Sequence, residues 1–204
     1  MGDNFVVHIV DDDEAVRQSL AFLLSTAGIP VRLYDSATAF VAALSGVQGG
    51  CLITDVRMPG MTGLDLLRAL DAKSVNLPAI VITGHGDIAL AVEAMKAGAV
   101  DFIEKPFDEE AILRAVRLAE RRAEREGPQS EDDSAHAAKL TALSERERQV
   151  LEGLVAGHPN KVIAHNLGIS PRTVEVYRAN LMAKMQAKSL SELIRMVLLA
   201  HRSA

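Results

Sequence analysis

The sequence predicts a doubly wound α/β domain with five parallel strands, followed by an all-helical domain, and three features carry that prediction. Short apolar, β-branched runs recur at residues 5–10, 31–34, 51–54, 79–83 and 100–103, each followed by apolar residues at helical spacing. Apolar periodicity then stops over residues 123–139, which hold Gly127 and Pro128. Beyond Leu143 the pattern is helical throughout, with a capping residue or a glycine at each break.

After the first strand, Val16, Leu20, Leu23 and Leu24 keep the helical period. After the fourth, Ala89, Val92, Met95 and Lys96 with Ala99 do the same. Near-continuous apolar strands alternating with helices imply a parallel sheet covered on both faces. In the second half, Ser144 and Glu147 form a capping box for a helix that Gly157 closes, and residues 160–167 form a short helix closed by Gly168. Ser170 and Pro171 supply an N-cap and a first-turn proline for a third helix to about Met185. Ser189 and Glu192 read as a second capping box, opening a fourth helix. The tight turn at Gly168 makes the middle pair a helix-turn-helix. The expected organisation is a domain over 1–122, a linker over 123–139 and a helical domain over 140–204; the charged residues before Gly127 read equally well as an extension of the preceding helix.

The bulk numbers agree with two modest globular domains: 204 residues, 49% hydrophobic and 24% charged. No apolar run approaches the roughly 20 residues that span a bilayer, and the N-terminus lacks a basic stretch followed by an apolar core, so the chain is expected to be cytoplasmic. A single cysteine, Cys51, excludes an intramolecular disulfide and a cysteine metal cluster. The net charge of -5 is unevenly distributed: residues 1–122 carry -6, 123–139 carry -3 and 140–204 carry +4. An acidic half joined to a basic half points to different partners, with nucleic acid the candidate for the basic end.

Chemistry in an open parallel sheet collects beyond the carboxyl ends of the strands, where strand order reverses. Asp11, Asp12 and Asp13 follow the first strand, Asp55 ends the third, Thr83 ends the fourth, and Lys105 follows the fifth. With strand order 2-1-3-4-5, Asp11, Asp12 and Asp55 converge. Clustered carboxylates without His or Cys ligands favour a hard cation, and Mg²⁺ suits both the oxygen donors and phosphoryl chemistry. Asp55 can then act as a nucleophile toward phosphorus, with Lys105 and Thr83 holding the charge on the phosphoryl oxygens. Asp13 reads as a cap of the first helix.

Together, Asp11-Asp12, the Asp55 to Gly60 segment, Thr83-Gly84 and Lys105-Pro106 resemble the signature of response-regulator receiver domains, whose fold is flavodoxin- and CheY-like. The resemblance implies that Asp55 is the phosphoacceptor. It implies that Asp12 and Asp55 bind Mg²⁺ directly, Asp11 through water, and that the Arg57 carbonyl completes the protein ligands. Thr83 and Lys105 would contact the phosphoryl group, and Arg57 and His85 would set the lifetime of phospho-Asp55. Phe102 stands where the family has a switch aromatic, and it reads equally well as fixed core.

Leu143 to Leu151, Gly157 to Lys161, Ile163-Ala164, Leu167, Ile169-Ser170, Arg172-Thr173-Val174 and Lys184 resemble LuxR-type helix-turn-helix domains. The helix from Pro171 would enter the major groove with its amino end. Val174, Leu181 and Met185 should face the core, leaving Glu175, Val176, Arg178 and Ala179 toward DNA. Family position favours Glu175, Val176 and Ala179 as base readers, with Glu175 open to the alternative of a solvent-exposed acid. Ser170, Arg172 and Thr173 flank a phosphate-binding helix end, and Lys161, Lys184 and Lys188 read as phosphate contacts. The last helix, with Leu193, Ile194, Val197 and Leu198, has apolar residues in excess of a small core and suits a dimer contact.

This pairing of domains resembles the NarL/FixJ group. Residues 80–86 and 92–107 look most like its nitrogen-fixation members. That resemblance implies an oxygen-responsive, FixL-like sensor histidine kinase as donor, a homodimer formed on phosphorylation, double-stranded DNA and RNA polymerase as partners, and activation of nitrogen-fixation and microaerobic genes. It implies no enzyme activity beyond self-phosphotransfer and autodephosphorylation. Two alternatives compete with it: a Mg²⁺-dependent phosphohydrolase with an aspartate nucleophile, for which residues 58–60 supply no general acid, and a constitutive DNA-binding protein using its first domain only for assembly.

Overall fold

Residues 5–84, 88–124 and 139–202 are described by a computed structural model. They form two compact units. The elements in chain order are β1 (Val7–Val10), α1 (Glu14–Thr26), β2 (Val31–Tyr34), α2 (Ala37–Ala43), β3 (Cys51–Asp55), α3 (Gly63–Ala72), β4 (Ala79–Thr83), α4 (Ile88–Lys96), β5 (Asp101–Glu104), α5 (Glu109–Glu124), α6 (Glu145–Val155), α7 (Asn160–Leu167), α8 (Pro171–Met185) and α9 (Leu190–Arg202). A short 3₁₀ turn, Leu44–Gly46, follows α2.

The five strands pair in parallel in the order β2-β1-β3-β4-β5. Every residue of β3 and β4 is buried, as continuous apolar runs in a two-sided sheet require. Side chains alternate between faces. Val7, Ile9, Ile53, Ile80 and Ile82 meet Leu20 and Leu24 of α1 and Ile112, Ala115, Val116 and Ala119 of α5. Each such Leu, Ile or Val contributes about 1.5–3 kcal/mol on burial, so this cluster, and no single surface ion pair, holds the unit together. Burial pushes the Cys51 thiol up to about 12, so the residue packs as a small apolar group.

Some boundaries shift from those the sequence suggests. β1 starts at Val7 rather than residue 5, and β5 starts one residue later, at Asp101. α5 runs to Glu124, two residues past the expected domain end, because its charged last turn continues an amphipathic helix. In α4 the buried face is Ala91, Val92, Ala94 and Met95, whereas Ala89 is exposed: a run so rich in Ala, Ile and Val leaves its phase ambiguous.

In the second unit, Leu143, Val150, Leu151, Leu154, Ile163, Val174, Leu181, Met185, Leu193 and Val197 form one core. The Ser144 hydroxyl accepts from the Glu147 N–H, and the Glu147 carboxylate accepts from the Ser144 N–H at 2.8 Å, closing the expected capping box. Gly168 closes α7 in the left-handed region at φ 66°, where glycine carries no Cβ penalty. The box expected at the start of α9 is displaced. Ser189 accepts from the Glu192 N–H, but the Glu192 carboxylate takes the Lys188 N–H at 2.7 Å.

Glu147 is the polar node of this unit. Besides Ser144 it accepts from Lys184 Nζ at 2.7 Å, and this contact, with the Ser144 N–H, holds its carboxyl down at about 2. Its folded pKa lies below the unfolded value, so its stabilisation is present above about pH 4.5 and is lost as pH falls toward 2. Glu147→Gln should therefore lower the urea-unfolding stability of the second unit at pH 7 by about 1–3 kcal/mol. The difference from wild type should shrink as the pH is taken down through that window.

Candidate functional site

Strand register brings the site together. β1 and β3 pair Val10 with Thr54, so Asp11, one residue on, lies beside Asp55. β3 and β4 pair Asp55 with Ile82, which puts Thr83 next to it, and β4 and β5 pair Thr83 with Glu104, the residue before Lys105. Four strand ends thus deliver Asp11, Asp55, Thr83 and Lys105 to one edge of the sheet. Asp11, Asp55 and Thr83 are buried and Lys105 is partly exposed.

Lys105 Nζ donates to Asp55 Oδ1 at 2.6 Å and to Asp11 Oδ2 at 3.0 Å. Burial raises the Asp11 pKa, and the Asp13 N–H and Lys105 oppose that rise without cancelling it. Burial also works against the charge of Lys105, but its hydrogen bonds to Asp55 and Asp11 outweigh it and raise the ammonium pKa. The pocket therefore keeps a fixed cation between two acids from different strands.

Other bonds fix the acids. Asp11 Oδ1 accepts from the Asp13 N–H at 2.9 Å, Asp13 caps α1 through the Ala15 N–H at 2.8 Å, and the Arg57 N–H donates to Asp55 Oδ2 at 2.6 Å. Arg17 is a site residue that sequence reasoning missed: its guanidinium donates to the Asp11 carbonyl at 2.6 Å. Gly63 is a second. A Cβ on it would stand 2.1 Å from the Asp55 carbonyl oxygen, so α3 can start against β3 only without a side chain there. No period or motif marks either contact.

The remaining candidates are placed as follows. Asp12 and Arg57 are exposed at the mouth of the pocket, and Phe102 is half-buried. The Thr83 hydroxyl donates to the Gly84 carbonyl at 3.4 Å. His85 lies outside the described residues. Among the described residues no group of three His, Cys, Asp or Glu side chains could hold a metal ion. A strongly hydrated Mg²⁺ needs only one or two carboxylates, however, and Asp11 and Asp55 offer such a pair of hard donors with Asp12 alongside. The residues fit the ion.

On α8, Val174, Leu181 and Met185 are buried, and the opposite side leaves Arg172, Glu175, Val176 and Ala179 exposed. Ser170 caps the helix by accepting from the Thr173 N–H at 3.0 Å. Lys161 and Lys188 are exposed. Two residues also have partners within the protein. Lys184 is engaged by the buried Glu147 carboxylate, whose burial demands a cation partner. Arg178 is half-buried and donates to Asn160 Oδ1 at 3.2 Å across the helix-turn-helix.

Residues 7–117 match the response regulator receiver domain, and residues 141–197 match the bacterial regulatory proteins of the luxR family. The transcriptional regulatory protein FixJ of Azorhizobium caulinodans is 56% identical over 98% of this chain and 95% of its own length, and that of Rhizobium meliloti is 56% identical over 96% of each. The chain belongs to the FixJ-type response regulators. Full-length FixJ from B. japonicum has 50% identity and a TM-score of 0.57, covering 97% of this chain and 98% of that one. The response regulator protein TmoT of Ectopseudomonas mendocina is 45% identical over 93% of this chain and 86% of its own length.

As a FixJ-type two-component regulator the protein is a transcriptional regulator with a receiver and a LuxR-type DNA-binding domain, and this pairing implies a histidine kinase and DNA as partners. It is not a member of a conventional enzyme family. Asp11 and Asp55 form the acidic pocket at which receiver domains generally use Mg²⁺. No helix among the described residues is long and apolar enough to cross a membrane. In this FixJ-type regulator Gly63→Ala should cost more than about 2 kcal/mol in urea unfolding, since the clash is with backbone that cannot turn aside.

Proposed function

We propose that Asp55 accepts a phosphoryl group from the phosphohistidine of a FixL-like, oxygen-responsive sensor kinase, and that the phosphorylated chain dimerises and activates nitrogen-fixation and microaerobic genes. The observation that carries this is the buried Asp55 carboxylate, held 2.6 Å from Lys105 with Thr83 on the adjacent strand end. The carboxylate oxygen attacks phosphorus, the phosphorus–nitrogen bond of the donor breaks, and its electron pair returns to the imidazole, which takes up a proton.

Lys105 and the Thr83 hydroxyl then lie on the side where the phosphoryl oxygens gain charge. Asp11, Asp12, Asp55 and the Arg57 carbonyl would hold Mg²⁺, which when bound neutralises charge on the transferring group. Arg57 at the mouth of the pocket and His85 are assigned to setting the lifetime of the acyl phosphate, which the chain hydrolyses itself. Phe102, half-buried on β5, is the assigned switch. Residues 123–139 link the domains, and the protein works in the cytoplasm, where DNA and RNA polymerase are.

On DNA, Glu175, Val176 and Ala179 are assigned to base edges, with Val176 suited to a thymine methyl. Ser170, Arg172, Thr173, Lys161 and Lys188 are assigned to phosphates. Lys184 is moved from phosphate contact to support of α8, and Arg178 reaches DNA from its seat on Asn160.

Incubation with Mg²⁺ and acetyl phosphate should add one phosphoryl mass to the wild-type chain, lost in Asp55→Asn, and should shift the sizing profile toward a dimer. An adduct that persists in Asp55→Asn would move the acceptor elsewhere. In binding assays on selected DNA, Lys161→Ala and Lys188→Ala should each weaken binding to all sequences alike and flatten the salt dependence by about one ion. Val176→Ala should instead alter base preference at one position of each half-site.

A further inference from the structure

We infer that Arg17 is a positioning residue of the phosphorylation pocket: its side chain ties the Asp11 carbonyl to α1 and so holds the turn whose acids receive the cation. This rests on the assignment of Asp55 as acceptor and of Asp11 and Asp12 to Mg²⁺. The guanidinium Nη1 donates to the Asp11 carbonyl at 2.6 Å. The N–H of the same residue donates to the Asp13 carbonyl at 3.1 Å. The second bond is the first helical bond of α1, which any residue but proline makes there, so the guanidinium adds the tie to Asp11.

The turn needs such a grip. Strand pairing of β1 ends at Val10, which faces Tyr34 on one side and Thr54 on the other, so Asp11 begins the departure from the sheet. Its N–H still reaches the Tyr34 carbonyl at 3.3 Å, and its carboxylate is shared between the Asp13 N–H and Lys105. The carbonyl of Asp11 points out of that set and meets the Arg17 fork in a charge-assisted bond, the stronger kind. Asp12, exposed, sits between Asp11, tied by the guanidinium, and Asp13, the helix cap, so the peptide before it is held from the Arg17 side. A tilt of the Asp11 peptide would move Asp12 away from Asp55.

The sign of the effect separates positioning from simple electrostatics. Arg17 is a cation close to a cation site, so by Coulomb attraction and repulsion alone its removal would tighten Mg²⁺ binding. Positioning predicts the reverse, because supports of metal ligands typically cost 10–100-fold in affinity when removed.

The test uses the full chain as wild type, Arg17→Met and Arg17→Lys, titrated with Mg²⁺ alone by calorimetry, alongside amide hydrogen exchange at Asp13 and Ala15. Arg17→Met should raise the Mg²⁺ Kd about tenfold and speed exchange at both amides, while Arg17→Lys, which keeps a donor and the charge, should recover part of each. A Kd that is unchanged or lower in Arg17→Met, in a protein whose wild type forms the Asp55 adduct, overturns the inference. Should the wild type neither bind Mg²⁺ nor form the adduct, the acceptor assignment fails instead, and exchange decides Arg17: unchanged rates at Asp13 and Ala15 remove it.

Discussion

Two carboxylates from different strands lie in one buried pocket of this protein, and Lys105 is the cation that lets them do so. Side by side in a medium of low polarity, Asp11 and Asp55 would repel by several kcal/mol, or one would take up a proton. An ammonium at 2.6 Å from one and 3.0 Å from the other removes the conflict. The constraint reaches back into the topology. Only an order that sets β1 beside β3, with β4 and β5 following, delivers the acids and the lysine to the same edge. The apolar core supplies the stability of the unit, and the strand ends above it carry the pocket.

The second unit repeats the same logic with a different outcome. Glu147 is as buried as the pocket acids, but its partners are local and complete: the Ser144 N–H and hydroxyl, and Lys184. Here the charge cluster is a fixed strut between α6 and the C-terminal end of α8. It holds the helix whose exposed side carries Arg172, Glu175, Val176 and Ala179, the residues proposed to meet DNA. The Glu147 carboxylate has local partners on its own helix cap, whereas Asp11 and Asp55 share the ammonium of a residue distant in sequence.

The alternation of apolar strands with helices made the parallel sheet legible, and the placement of Asp11, Asp55, Thr83 and Lys105 at strand ends made the pocket legible once order 2-1-3-4-5 was assumed. Caps and glycines at Ser144, Gly168 and Ser170 marked the helices because their chemistry is local. What stayed hidden depends on contacts without a period or motif. The Arg17 guanidinium finds a carbonyl six residues back, Gly63 makes room for the Asp55 carbonyl, and Glu147 and Lys184 meet across 37 residues. Lys184 illustrates the limit: its exposed position in α8 suggests a phosphate contact, and only the fold shows that it also meets the buried acid of another helix.

Lys105 is coupled energetically to Asp55 through their hydrogen bond, and a double-mutant cycle in urea unfolding measures that coupling directly. Wild type, Lys105→Met, Asp55→Asn and the double variant would be compared at neutral pH without Mg²⁺. The expected coupling is about 1 kcal/mol or more, with Lys105→Met destabilising and Asp55→Asn restoring much of the loss. Strictly additive effects, with Lys105→Met as stable as wild type, would contradict it.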